Sequence, residues 1–199
     1  ASPPCPVGGP NGFIVIINNQ VNTDIDHCFA YITTINNKLL IKAATYGHNL
    51  GLVDGTGSLV MENGNLPAGN FNSFLNCTTG GTLEYGGTGN YTIIASQFSS
   101  IPNLFFTGSG TRILPNKDLT ICSRLVIDGP VLDNTAGNRA LIIKGTMERY
   151  NAGAFRSGSG LNATVSFQGT SPQTLGGVTG GFSGTNQLNN LEINNSAGL

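Results

Sequence analysis

The sequence lacks tryptophan, has only two histidines, and is poor in charge: Asp, Glu, Lys and Arg together make up 10 % of its 199 residues. An ordinary globular domain carries about 25 % charged residues. The formal net charge is -1 and the basic residues are scattered, so no electrostatic footprint for nucleic acid or an anionic membrane exists. Apolar runs such as residues 13–17 fall far short of the roughly 20 residues that a membrane-spanning helix needs. We therefore expect neither nucleic-acid binding nor membrane insertion.

Small and amide-polar residues take the place of charge: the chain has 29 Gly, 24 Asn, 20 Thr and 14 Ser. Its apolar content of 39 % is too high for a disordered linker, which combines low hydrophobicity with high net charge. Good helix formers are sparse, whereas short β-branched and apolar runs recur between clusters of Gly, Asn, Ser and Thr. These runs predict an all-β chain with strands at residues 13–17, 29–35, 39–43, 58–61, 82–85, 92–95, 103–106, 119–122, 125–127, 140–143, 164–167 and 191–193.

The chain also repeats itself, because residues 82–93 align with residues 164–175 without a gap, and residues 103–109 correspond to residues 190–196. The identical positions in the first pair are Thr82/Thr164, Gly87/Gly169, Thr88/Thr170 and Thr92/Thr174. Internal self-similarity is typical of architectures in which each unit buries its apolar face only against its neighbours. Two-residue hairpin turns are few. We therefore predict a parallel β-helix, or β-solenoid, of stacked short strands.

The length of one coil sets the expected organisation. Coils on the order of twenty residues, rising about 4.8 Å each, predict about eight to ten turns and a rod about 40–50 Å long. Residues 1–50 are less regular and are expected to form an N-terminal cap or the first coils, and residues 51–199 the β-solenoid repeat segment. The first repeat copy runs on from residues 103–110 into the strand at 119–122, whereas the second halts at Leu199. We therefore expect the segment to be truncated within a repeat at its C-terminal end.

The cysteines indicate the compartment. They are Cys5, Cys28, Cys77 and Cys122, and none of them forms the close ligand pairs that zinc requires. His27 beside Cys28 suggests a metal or Cys/His catalytic site, but no second ligand follows at suitable spacing, so we assign no metal. Buried thiols, or one or two disulfides in an exported protein, are the favoured interpretation, with the pairing left open. The opening residues 1–6, small and then proline-rich, fit a mature N-terminus left after signal removal.

Carboxylates are the candidates for catalysis, because many β-helix proteins act on polysaccharides. Asp24 and Asp26 could share an acid/base or calcium site, but a solvated turn before His27 is favoured. Asp128 and Asp133 precede Gly and Asn, which is typical of turns. Gly86–Gly89 and Ser157–Gly160 lack the residues of a phosphate loop and of a nucleophile elbow, and Gly86–Gly89 fits a solenoid corner. We assign no catalytic residue and no cofactor.

Aromatic side chains are the candidates for stacking on sugars. The tyrosines are Tyr31, Tyr46, Tyr85, Tyr91 and Tyr150. Tyr85 aligns with Phe167 in the internal repeat, so this position requires a ring rather than a hydroxyl group. Packing in the core explains that requirement better than contact with a ligand.

Several phrases resemble a known family. They are Gly80–Gly87 (GGTLEYGG), Asn103–Leu104 through Gly108–Gly110, Leu114–Pro115 with Asp118–Ile121, Leu125–Gly129, Phe167–Gly177 (FQGTSPQTLGG) and Asn190–Leu199 (NLEINNSAGL). Together they resemble the repeat region of giant extracellular surface proteins of Bacteroidota that are exported by type IX secretion, among them the SprB-like gliding-motility adhesins. The resemblance covers roughly residues 50 to 199. It implies a β-solenoid stalk or adhesive surface and provides no catalytic residues to transfer.

The resemblance implies a function and a location. The function is that of a non-catalytic structural or adhesive segment of a large protein at the cell surface, a rigid extracellular rod for surface attachment or gliding. Its expected partners are polysaccharide or solid surfaces, other cell-surface proteins, or the secretion and motility machinery. Two alternatives stay open: a carbohydrate-active β-helix that uses Asp24, Asp26 or other carboxylates as acid or base, and a carbohydrate- or ice-binding module on the solenoid face.

Overall fold

The computed structural model describes residues 13–94, 98–177, 181–182 and 186–199, and the regular structure in these ranges is almost entirely β. The strands are β1 (Ile14–Ile17), β2 (Val21–Asn22), β3 (Ile32–Ile35), β4 (Lys38–Ile41), β5 (Asn49–Asp54), β6 (Ser58–Met61), β7 (Ala68–Asn70), β8 (Thr82–Tyr85), β9 (Tyr91–Thr92), β10 (Ser100–Thr107), β11 (Thr111–Ile113), β12 (Leu119–Asp128), β13 (Val131–Asp133), β14 (Leu141–Ile143), β15 (Thr146–Tyr150), β16 (Ala154–Arg156), β17 (Thr164–Phe167), β18 (Leu175–Gly176) and β19 (Asn190–Ile193). The all-β prediction is confirmed.

The strands stack in parallel, turn upon turn, in three sheets. A long sheet of eleven strands runs from β2 to β19, with β14 and β15 both pairing with the long strand β12. One side sheet contains β1, β3, β5 and β7, and the other contains β9, β11, β13 and β16. The predicted parallel β-solenoid is thus confirmed, and the strands make no hairpin pairs in the described part of the chain.

The solenoid has about seven turns, fewer than the eight to ten that a twenty-residue coil predicts. Paired residues on neighbouring turns are 18 positions apart at Ile14 and Ile32, but 28 positions apart at Met147 and Leu175. Loops inserted between strands account for the difference, as in residues 71–81 between β7 and β8. At about 4.8 Å per turn the rod is about 35 Å long.

Ladders of side chains fill the interior of the solenoid. One inward position of the long sheet is occupied, turn by turn, by Leu39, Leu59, Leu83, Leu104, Leu125 and Met147, which pair in register. All six are buried. Burying one such side chain stabilises the fold by about 1.5–3 kcal/mol, so the ladders provide a continuous hydrophobic core along the rod.

The internal repeat occupies equivalent strand pairs. Thr82 of β8 pairs with Asn103 of β10, and the matching residue Thr164 of β17 pairs with Asn190 of β19. The two copies nevertheless lie on different faces, because β8 continues into the side sheet at β9, whereas β17 continues into β18 of the long sheet. The second copy of the repeat is therefore displaced along the solenoid axis and also rotated about that axis by one face.

A column of glycines forms the corner between the long sheet and the side sheet of β9, β11, β13 and β16. Gly108 and Gly129 have φ of 84° and 106°, in the left-handed region that favours glycine. A Cβ at Gly108 would lie 2.0 Å from the carbonyl oxygen of Gly87 one turn below, and a Cβ at Gly129 would lie 2.2 Å from that of Gly108. Only glycine allows the turns to stack this closely at the corner.

Disulfides reinforce the stack. Cys77, in the loop between β7 and β8, is bonded to Cys122 of β12, with their Cα atoms 5.5 Å apart. Cys28 is disulfide-bonded as well. Cys5 lies outside the described residues. The interpretation of the cysteines as disulfides, rather than as buried thiols, is therefore correct for these three positions.

The environment of Tyr85 confirms that this position, which aligns with Phe167 in the internal repeat, requires an aromatic ring but no hydroxyl group. Its ring is fully buried and stacks on Phe106 at 6.0 Å between centroids, while its hydroxyl group is buried and finds no hydrogen-bond partner within the described ranges. A buried hydroxyl group with no partner costs free energy. We therefore expect Tyr85→Phe to leave the free energy of unfolding unchanged or to raise it by up to about 1 kcal/mol in urea titrations.

Tyr91→Phe is the matched control, because the Tyr91 hydroxyl group donates a 2.7 Å hydrogen bond to the carbonyl oxygen of Gly86. We expect this variant to lose about 1 kcal/mol. Equal losses in the two variants would contradict the interpretation.

Candidate functional site

Three stacked loops close the solenoid on the side between the long sheet and the side sheet that begins at β1. They are residues 23–31 before β3, residues 42–48 after β4, and residues 62–67 after β6. Hydrogen bonds tie the loops together, for example between the Thr23 and Thr45 hydroxyl groups at 2.9 Å. Between these loops lies a cleft of about 450 Å³, which we call the His48 cleft.

The His48 cleft combines ring faces, amides and an apolar floor. Its lining includes the rings of Phe29, Tyr46 and His48. The side-chain amides of Asn49, Asn63 and Asn65 line it as well. The core residues Ile41 and Met61 also contribute to its lining. Because these two side chains belong to the hydrophobic core, the cleft reaches from the surface to the core.

The aromatic wall of the cleft is fixed by backbone contacts. The His27 amide donates to the carbonyl oxygen of Tyr46, and the Tyr46 amide donates to the Asp26 carboxylate, both at 2.9 Å. The His27 ring meets the Tyr46 ring edge-on at 4.9 Å and lies 6.5 Å from the Phe29 ring. A Cβ on Gly47 would lie only 2.5 Å from the His27 ring. These contacts position the Tyr46 and Phe29 rings on either side of His27.

His48 is a buried polar group in this wall. Its ring is 4 % exposed, and Nδ1 accepts a 3.2 Å hydrogen bond from the Cys28 amide. In the neutral ring the proton therefore lies on Nε2, which is buried and has no hydrogen-bond partner in the described part of the chain. Burial lowers the pKa of His48 below its ordinary value of 6.5; the Asp26 carboxylate opposes this shift and His27 adds to it.

The lowered pKa makes stability depend on pH. Below about pH 6.5 the unfolded chain protonates His48 whereas the folded chain keeps it neutral, so acid favours unfolding. We expect the melting temperature to be highest above pH 7 and to fall as the pH decreases from 6.5 to 5. His48→Gln should flatten this part of the curve, while His27→Gln at the exposed neighbour should keep it. Identical curves for the wild type and His48→Gln would contradict the assignment.

The carboxylates that the sequence singled out have structural partners. Asp26 lies beside the cleft but binds the Tyr46 amide, and Asp24 is exposed. Asp133 accepts from the amide and the hydroxyl group of Thr135 two residues later, which confirms its assignment to a turn. Asp128 accepts from the Asn151 amide group. The interpretation of Asp26 as part of a turn before His27 is therefore favoured over an acid/base pair.

The cleft was only partly visible in the sequence. Tyr46 is one of the tyrosines considered for sugar stacking, and it is exposed, as is Tyr31 outside the cleft. His48 and Phe29 were missed as partners of Tyr46. The sequence signal that indicates these partners is their spacing. His27 contacts Tyr46 and Cys28 contacts His48, 19 and 20 positions later, which is the length of one coil.

No protein-family model, curated protein or solved structure matches this chain. Its function must therefore be inferred from its own geometry. Within the described ranges, no helix has the length and apolarity needed to cross a membrane. The same residues contain no cluster of three or more His, Cys, Asp or Glu side chains that could hold a metal ion.

Proposed function

We propose that this chain is a non-catalytic structural and adhesive segment of a large cell-surface protein, in which a rigid β-solenoid rod serves surface attachment or gliding. The proposal extends to the family that the repeat phrases resemble, the type IX-secreted surface proteins of Bacteroidota. The observation that carries it is the stacking of about seven turns in register along one axis.

The stacking gives the rod its mechanical properties. In parallel pairing the inter-strand hydrogen bonds run along the rod axis, so a pulling force is shared by several bonds in every turn. The interior ladder from Leu39 to Met147 resists sliding, because a displaced turn exposes apolar surface to water. A solenoid of this kind transmits force without extending.

The disulfide and the surface composition support an extracellular location. Disulfides such as Cys77–Cys122 form and persist mainly in oxidising environments outside the cytosol. The low charge and the many Asn and Thr side chains provide a hydrogen-bonding surface for polysaccharide or solid supports. Extracellular polymers and abiotic surfaces are therefore the partners we propose.

Replacing residues 13–199 in the parent protein by a flexible Gly/Ser linker of equal length tests the rod function. The linker keeps the chain length but removes the stiffness. We expect cells that express this version to lose most of their attachment to glass and polysaccharide films, while surface display by antibody labelling stays normal. Normal attachment with normal display would refute the proposal.

A further inference from the structure

We propose that the His48 cleft binds one or two units of a neutral saccharide, and that it is the place where this segment contacts polysaccharide. The inference deepens the adhesive role proposed above and rests on it. It is argued from the exposed rings, the amides and the charge of the cleft.

Exposed rings are the first reason. The side chains of Tyr46 and Phe29 are 63 % and 39 % exposed, although both belong to a wall that contacts fix in place. An exposed, immobilised ring offers a flat apolar face without the entropic cost of ordering it on binding. The C–H groups on one side of a pyranose ring form the complementary apolar face.

Backbone strain in the same wall is the second reason. His27 has φ of 56°, a left-handed conformation that residues other than glycine adopt at a cost. Such conformations persist only where the surrounding structure enforces them, and they concentrate at binding sites. Here the strained residue is the one that orients the Tyr46 ring.

Polar groups around the cleft suit hydroxyl groups. The Asn65 side-chain amide provides donors and an acceptor, the combination that a sugar hydroxyl group satisfies, and Asn63 provides its NH₂ donors, since its Oδ1 accepts from the Asn65 backbone amide. His48, which also lines the cleft, adds a buried Nε2 donor that has no hydrogen-bond partner among the described residues. Apolar faces with a few polar groups are typical of small-ligand sites.

The charge of the cleft selects neutral sugars. Among the described residues that line it, none is Lys or Arg, so the carboxylate of an acidic sugar would meet no cation. Two acidic groups adjoin the cleft: Asp26 beside His48, and Glu62, which accepts a bond from the Ala43 amide. Lys42 begins the 42–48 loop but is not among the residues that line the cleft. The volume of about 450 Å³ lies in the usual range of ligand pockets and accommodates one or two hexose units.

Titration calorimetry with purified protein tests the inference without cells, so a failed binding experiment leaves the rod function standing. The probes are cellohexaose, xylohexaose, mannohexaose and maltohexaose, with hexagalacturonate as the acidic counterpart. We expect at least one neutral hexamer to bind with a dissociation constant near or below about 1 mM, and hexagalacturonate to bind at least about tenfold more weakly.

Tyr46→Ala is the decisive variant, because this exposed ring can be removed without opening the core. It should weaken binding about tenfold or more, and Asn65→Ala at the exposed rim should weaken it severalfold. Tyr31→Ala is the matched control, since Tyr31 is 59 % exposed and lies outside the cleft. Failure of all four neutral hexamers to bind, tighter binding of hexagalacturonate, or equal losses in Tyr46→Ala and Tyr31→Ala would overturn the inference.

Discussion

Replacing Arg112 by Met is expected to lower the free energy of unfolding by about 3–5 kcal/mol, the largest effect of any single substitution we predict, because several carbonyl acceptors lose their donor at about 1–3 kcal/mol each. Arg112 is the middle residue of β11, and its side chain is fully buried inside the solenoid. It occupies an inward position in register with Tyr91 on one side and Leu132 on the other. A charged side chain therefore stands where neighbouring turns have apolar ones.

The Arg112 guanidinium group is held by backbone carbonyls. Its Nη1 and Nη2 atoms donate to the carbonyl oxygens of Gly86, Gly87, Gly89, Thr107 and Ser109. It also lies over the Tyr91 ring, with Cζ 4.4 Å from the ring centroid. These carbonyls belong to the tight corners of two successive turns, so the Arg112 side chain forms hydrogen bonds with both corners. A methionine of similar length would fill the space but donate no hydrogen bond. The carbonyl oxygens of Gly89, Thr107 and Ser109 would lose their guanidinium donor, whereas those of Gly86 and Gly87 also accept from the Tyr91 hydroxyl group and the Ser109 amide.

Urea unfolding measures the total loss, and hydrogen exchange locates it. In a stacked array each turn contacts only its neighbours, so exchange should increase most in residues 82–113 and least in β1 to β4. Arg156→Met is the matched control: Arg156 is exposed, with a 3.4 Å contact to Asp133, and such surface pairs contribute at most about 1 kcal/mol. A loss for Arg112→Met no greater than that of the control would show that the carbonyl contacts contribute little.

The alternation of apolar residues made the long sheet predictable. Residues 39–43, 58–61 and 82–85 predicted strands because their composition and bounding turns are local properties, although the first strand ends at Ile41. Strands such as β5, β11 and β13 were missed, because polar residues or glycine interrupt their apolar residues. Arg112 in particular gives the wrong signal, because arginine is almost never fully buried unless it is paired. Its partners are carbonyls, which no residue type reveals.

Contacts between turns were harder to predict than the strands. The corner glycines Gly87, Gly108 and Gly129 recur every 21 residues, a regularity that becomes meaningful only once the coil length is known. The candidate site shows the same limit. The sequence drew attention to Asp26 and His27, but the residues that complete the cleft follow one coil later, and stacking register rather than sequence proximity brings them together.

Removing the disulfide by the paired substitutions Cys77→Ala and Cys122→Ala is expected to lower the free energy of unfolding by about 4 kcal/mol. The two cysteines are 45 residues apart, and a cross-link over a loop of this length restricts the unfolded chain strongly. The bond also skips a turn, because β10 lies between β8 and β12 in the long sheet. It therefore joins turns that share no backbone hydrogen bonds.

That arrangement affects cooperativity as well as stability. A stack of turns can separate at any weak interface, but the disulfide obliges the turns of β8, β10 and β12 to unfold together. Without it, we expect urea unfolding followed by circular dichroism and by tyrosine fluorescence to give broader curves with different midpoints. Ser123→Ala, at the exposed neighbour of Cys122, controls for substitution in β12 and should change little. Unfolding within about 1 kcal/mol of the wild type, with a single sharp transition, would show that the stacking alone holds these turns together.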